Sequence, residues 1–279
     1  MINLRDNTKF YIDDICFNDF LTERSLDHFI LKCTPHFPDM NHEFETFAAS
    51  DGQRIINSRF NSYPFELVFY TKTENKYNTQ LIINEMKDLL FRRSPFFISY
   101  SLEPGKRFKV ITEEMKEEVQ NTRFSIFTVL FNVFEGRSES IASTQSNFDL
   151  EEDWQFSQGL ASEEYQYTHE TSRFTIFNGG DFTIDPREHD LTIRIEGESD
   201  GEFILFNRTT GDRFIYYPPL HRRYGESLVL ESVYPRKNGV SCGIDTNHGV
   251  ITLAPGENHM ELQNISRVKS EWDFRFLYK

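Results

Sequence analysis

Cysteine is scarce in this 279-residue chain, with only Cys16, Cys33 and Cys242. An odd count without CxxC or metal-ligand spacing excludes a disulfide framework and a zinc ribbon, and is the pattern of reduced, buried thiols. Positive charge is in deficit as well. The 30 Lys and Arg against 44 Asp and Glu leave a formal net charge of −14. Nucleic acids and anionic membranes demand a basic surface, so neither is an expected partner, and the acidity reads as a solvated surface that keeps a concentrated protein soluble. Long apolar runs are missing too, since none approaches the roughly 20 residues that span a bilayer. Met1 to Phe20 carries Asp6, Asp13, Asp14 and Asp19 among its apolar residues and has no small-residue cleavage site, unlike a signal peptide. The expectation is a protein made in the cytoplasm that remains soluble.

The familiar catalytic templates are also absent: no GxGxxG or Walker loop, no GxSxG, no HExxH. Three local clusters carry the right residue types. His36, Asp39, His42 and Glu43 lie close enough in sequence to ligate a metal, but Pro35 and Pro38 break the regular spacing a helix would supply, and the cluster reads as a polar surface loop. Glu151, Glu152 and Asp153 are adjacent, so they do not straddle a glycosidic bond at the separation that chemistry needs. Asp245-Thr246-Asn247-His248-Gly249, set between strands, reads as a turn whose side chains satisfy backbone groups, as does Asn207 to Asp212. No catalytic, cofactor-binding or metal-binding residue is therefore assigned, and no cofactor is expected. A wall hydrolase would need two carboxylates on facing strands, and no motif supplies them.

What is abundant is the aromatic ring. The chain has 28 Phe and 12 Tyr, residues that suit pleated, half-buried strands. Phe65 to Tyr70 is a clear strand after the turn signal Tyr63-Pro64. The period then changes: Ile82, Met86, Leu89 and Leu90 fall three to four apart and predict one helix over Thr79–Arg93, with Asn78 or Thr79 as its cap and Arg92 and Arg93 in its last turn. Phe96–Leu102 and Arg107–Thr112 predict a hairpin turning at Glu103–Lys106, and the charge run 113–118 is either a helical turn or a solvated loop. Phe124 to Val133 reads as a buried strand.

From Glu135 to Thr171 serines, threonines and acids crowd together. Such a stretch buries little, and reads as a polar linker in which Trp154 and Phe156 should dock on something. After Phe174 the pattern is β to the end, with strands predicted at Leu191–Glu196, Phe203–Phe206, Arg213–Tyr217, Ser227–Leu230, Gly249–Leu253 and Trp272–Tyr278, separated by Gly, Asn, Asp and Pro turns. No internal repeat suggests a solenoid. The reading is mostly β: an α+β domain with one helix at 1–134, a linker at 135–171, and a β-sandwich at 172–279.

Several ordered segments resemble one family. Phe174 to Arg187 follows the pattern F-x-I-x-N-x-G-x-x-x-I-D-P-R. Phe206 to Phe214, Thr246-Asn247, Ile251 to Asn258 and Asp273 to Lys279 follow in order, and Tyr63 to Leu67, the helix and Gly105 to Val110 agree in the first half. Together these are similar to the distal tail protein (Dit) family of siphophages that infect Gram-positive bacteria, with a departure at Glu135–Ser140. The resemblance implies an N-terminal belt domain and a C-terminal galectin-like sandwich. It also implies a homohexameric ring at the virion tail tip that joins the major tail tube protein to the tail-associated (Tal) protein and receptor-binding proteins. The chain has no room for the carbohydrate-binding insertions of some members, so direct wall binding is expected to be weak or absent. A lectin-like adsorption protein recognising wall polysaccharide is the alternative. The hairpin at 96–112 is expected to reach a neighbouring subunit, its outer strand pairing across the interface.

Overall fold

The computed structural model describes residues 8–48, 51–121, 123–146 and 165–279. They form two units, Met1–Ser138 with Lys279, and Glu139–Tyr278. Glu151, Glu152, Asp153, Trp154 and Phe156 lie outside the described residues.

The first unit contains β1 (Phe10–Ile12), β2 (Ile15–Cys16), α1 (Phe17–Thr22), β3 (Asp27–Pro35), β4 (Met40–Glu45), β5 (Arg54–Phe60), β6 (Tyr63–Lys72), α2 (Lys76–Leu90), β7 (Phe96–Tyr100), β8 (Lys106–Asn121) and β9 (Phe124–Val133). Its main sheet runs β2-β1-β7-β8-β9-β6-β3. Strict alternation drives it: every second residue of β6 and β9 is buried, and the register sets Phe65 opposite Phe131, Leu67 opposite Val129 and Phe69 opposite Phe127. Edge-to-face and stacked rings fill the core, with Phe69 5.2 Å from Phe127 and Phe65 5.3 Å from Phe108. Each such pair contributes about 0.5–1.5 kcal/mol beyond its area.

Three details differ from the sequence reading. Helix α2 starts three residues earlier than predicted, because Asn75 is the cap: its side-chain oxygen accepts from the N–H of Tyr77 at 2.9 Å and of Asn78 at 3.1 Å. Thr79 lies inside the helix, buried and bonded to the Thr73 hydroxyl. The helix ends at Leu90, beyond which Arg92 Nε donates to the Leu89 carbonyl at 2.8 Å. Second, the charge run 113–118 is neither helix nor loop but the far half of β8, held in register against β9. Its glutamates are exposed while its backbone completes the ladder, so side-chain polarity hid the strand. Third, a short helix, α1, adds to the single helix expected. It buries Phe17 and Leu21, one turn apart, too brief a pattern to stand out.

In the second unit, β11 (Thr168–His169), β21 (Ser266–Phe274), β13 (Leu191–Ser199), β17 (Leu228–Glu231), β18 (Tyr234–Lys237) and β19 (Val240–Ser241) form one sheet, with β16 (Leu220–His221) on β13. A second sheet is ordered β12 (Arg173–Asn178), β20 (Gly256–Gln263), β14 (Phe203–Asn207), β15 (Arg213–Tyr216). Inward residues of both sheets, including Ile193, Leu230, Trp272, Ile176, Leu205, Phe214 and Met260, share one core, which makes a β-sandwich. Gly249–Leu253 is not the strand predicted. It is extended chain with one bridge, Leu253 to Ile184. The strand of that region is β20, hidden because its inward Asn258 is polar and its outward residues are Glu257, His259, Glu261 and Gln263.

The stretch read as a linker is described at 135–146 and 165–171, and much of it is bound to the sandwich. The Ser140 hydroxyl accepts from Phe276 N–H, and the Thr144 hydroxyl donates to the Trp272 carbonyl at 2.8 Å and accepts from Phe274 N–H at 3.1 Å. Gln145 donates to the carbonyls of Trp272 and Tyr167. Hydroxyls and amides here occupy the hydrogen-bonding sites a strand would fill, which is why a polar sequence is ordered.

Candidate functional site

Of the clusters with catalytic residue types, the two that lie within the described residues are structural. The cluster His36, Asp39, His42 and Glu43 is spread over separate elements. His36 follows β3 and faces Glu66 at 3.7 Å, while His42 lies on β4 with Nδ1 2.8 Å from the Ser58 hydroxyl. Asp39 is exposed and holds Asn61 N–H through its main-chain carbonyl. Among the described residues no three metal-ligating side chains converge. The Glu66 carboxyl is drawn below its usual range, chiefly by the hydrogen bond from Lys32. Cys16, Cys33 and Cys242 are free thiols, and burial pushes Cys33 up, away from the reactive thiolate.

At 245–249 the side chains do what a turn requires. The Asn247 oxygen accepts from Ile215 N–H and Gly249 N–H, its amide donates to the Arg213 carbonyl, and the Thr246 hydroxyl donates to the Gly243 carbonyl. Asp245 contributes main-chain groups, its carbonyl accepting from Tyr217 N–H and its N–H donating to the Cys242 carbonyl. A Cβ on Gly249 would stand 2.1 Å from the Arg213 carbonyl oxygen, so the chain passes there only as glycine. Gly249→Ala is expected to lower unfolding free energy by about 2–3 kcal/mol, read by urea titration; an unchanged midpoint would mean the two backbones are free to part.

The motif residues of the second half form a set of buried clamps. Asn178 donates to the carbonyls of Phe182 and Leu253 and accepts from Gly180 N–H. Asn207 donates to the Thr252 carbonyl at 2.7 Å and to Asn258 Oδ1 at 3.2 Å. Asn258 spans the Ala254–Gly256 corner, donating to both carbonyls and accepting from Ala254 N–H. The Asp185 carboxyl is held below its usual range by hydrogen bonds from Arg187. These groups consume one another's hydrogen bonds, which leaves no reactive set.

The feature left unsatisfied is apolar. β4 and β5 form a two-stranded ribbon outside the main sheet. Met40 pairs with Phe60 and Phe44 with Ile55 on one face, on either side of the polar His42–Ser58 pair, so this face is mostly apolar; Asn41–Arg59, Glu43–Asn57 and Glu45–Arg54 take the other. The register shifts between Glu43 and Phe44, which leaves Ile56 as the extra residue of β5, and it too is exposed. Met40, Phe44, Ile55 and Ile56 are 50 to 62% exposed, and Phe37 beside them is 93% exposed. An isolated hairpin is marginal in water, and exposed apolar side chains grouped on one face in this way mark a contact surface. The preceding strand β3 pairs only with β6 among the described residues, which leaves its outer edge open. Sequence reasoning missed this arm, although the alternation in Met40–Phe44 and Ile55–Phe60 is visible. The hairpin it favoured is committed elsewhere: β7 lies between β1 and β8, β8 lies between β7 and β9, and the tip is tied by Tyr100 Oη donating to Glu103.

Residues 24–133 fit the family described as phage tail protein RIFT-related domain. No curated protein sequence matches the chain. The Dit (gp 19.1) protein of phage SPP1, described as a paradigm of the hub adsorption apparatus in Gram-positive infecting phages, aligns over 97% of this chain and 100% of its own. The TM-score is 0.68 at 13% identity, a likeness of fold. Chains of the phage P2 baseplate in its activated conformation with Ca and with Sr align over 97% of this chain and 98% of theirs, at 9% and 8% identity and TM-scores of 0.43 and 0.44.

Proposed function

We propose that this chain, which carries a phage tail domain at residues 24–133 and the Dit fold along its length, is a non-catalytic hub of a siphophage baseplate. Its work is geometric. Copies close into a homohexameric ring at the tail tip, stack under the major tail tube protein, seat the Tal protein and carry receptor-binding proteins. The observation that supports this most is the β4–β5 arm. An apolar ribbon beside an open strand edge gives each copy a surface that its own chain leaves uncovered, and a head-to-tail contact closes into a ring when its rotation fits. Buried clamps where catalytic groups would stand agree with a structural role. The lectin-like alternative calls for an open aromatic platform; on the outer face of the second sheet, Phe206 instead lies under Arg213, 4.5 Å from ring centre to guanidinium. Light scattering of the purified protein tests the ring. Six chains of 33.0 kDa give about 200 kDa. A 33 kDa monomer at every concentration, with no rings in negative stain, removes the oligomeric part of this reading.

A further inference from the structure

The β4–β5 arm continues the β3–β6 hairpin past the end of the main sheet. His36 N–H donates to the Pro64 carbonyl and Asn61 N–H to the Asp39 carbonyl, and Met40–Phe60 is the next pair, so the ladder runs on into β4 and β5. At about 3.3 Å per residue, these strands carry it roughly 20 Å outward. Met40, Phe44, Ile55 and Ile56 stay at least half exposed, so the arm does not lie back over its own unit.

The opposite end of the same sheet also exposes apolar side chains. Asp27, Lys72 and Phe124 are in register there, and the N–H groups of Leu26 and Thr73 extend the ladder to the carbonyls of Lys72 and Arg123. Val119 stands opposite Ser125, close to the same end. Helix α2 begins here too, its entry fixed by the bond between the Thr73 and Thr79 hydroxyls. Leu26, Tyr77, Leu81 and Val119 are 60 to 72% exposed. Tyr77 and Leu81 are one helical turn apart, on the side of α2 turned away from Ile82 and Met86, which enter the core. From Tyr63 to Lys72 the sheet is about 30 Å long, which puts this surface beyond the reach of the chain's own arm.

We propose that this end, with Leu26, Tyr77, Leu81 and Val119, is the receiving surface for the arm of a second copy. A head-to-tail contact uses a different patch on each partner and repeats until it closes. One such contact covers both exposed sets in every copy, whereas a separate partner at either end would leave the other bare. The proposal rests on the hub reading, in which the arm joins copies, and adds the surface on which the arm lands.

The test mixes two variants of the full chain. Phe44→Glu with Ile56→Glu breaks the arm, and Tyr77→Glu with Leu81→Glu breaks the receiving end; all four positions are exposed in the single chain. Each variant alone is expected at about 33 kDa by light scattering and the equimolar mixture at about 66 kDa, because one intact junction remains between the two. Ile56→Cys with Leu81→Cys, in a Cys16→Ser background and with an added oxidant, is expected to give ladders of disulfide-linked chains on a denaturing gel. The two positions are too far apart to join within one chain. A receiving-end variant that still runs at about 200 kDa would overturn the proposal and leave the ring reading intact. Chains linked in pairs by Ile56→Cys alone would also overturn it, since that result means arm-to-arm contact. A wild-type chain that is monomeric at every concentration removes the ring reading; ladders at high concentration would then still support the contact, and their absence would overturn it as well.

Discussion

Replacing Phe44 and Ile56 by glutamate is expected to leave each chain folded and to prevent ring closure, so that light scattering reads about 33 kDa in place of about 200 kDa. Both side chains lie on the arm, 52 and 62% exposed in the single chain, so a carboxylate there costs the monomer little. In a covered interface the same carboxylate is buried without a partner, a penalty of several kcal/mol per ion. A ring repeats that penalty at every junction, which turns a local change into loss of assembly. Glu45→Gln on the opposite, polar face of the ribbon is the control and should leave the mass unchanged. A variant that still runs as a ring would show that the arm is not the subunit contact. The hairpin at 96–112 does not replace it as a candidate, since both of its strands already have neighbours on each side. Shortening its tip would disturb the chain's own sheet before any contact between copies.

The second large effect is expected at Asn258, which is fully buried and makes four hydrogen bonds at the β20 corner. Asn258→Ala strips partners from the Ala254 backbone and from the Asn207 amide, which is itself fully buried. Leaving such groups unsatisfied costs about 1–3 kcal/mol each, so a loss of about 3–5 kcal/mol is expected. For a unit of this size that is on the order of 10 °C in Tm, read by calorimetry. His259→Ala, one residue on and pointing outward, should change stability by less than about 0.5 kcal/mol. Equal effects at the two positions would mean that the corner is held by backbone bonds alone.

These predictions draw on different levels of the molecule. The mostly β class, β6, β9 and the core of α2 were legible because each depends on a short-range period: two residues along a strand, three to four along a helix. The turn role of Thr246 and Asn247 was legible because such side chains bond the nearest backbone. The resemblance to the distal tail family was carried by the same clamp residues, and the fold of SPP1 Dit and the phage tail domain at 24–133 agree with it.

Other features depend on partners distant in sequence. The acidic half of β8 is a strand because β9 offers it a ladder, and Thr144 is ordered because the carbonyl and N–H it binds belong to residues 272 and 274. Strand β20 has a polar residue on its inward face because Asn207 meets it there across the adjoining strand. The apolar stripe of the arm is written in the sequence, yet that the chain leaves it uncovered is decided by tertiary structure. Periodicity states which side of an element avoids water; only the packing of all the other elements determines whether the chain itself covers that side.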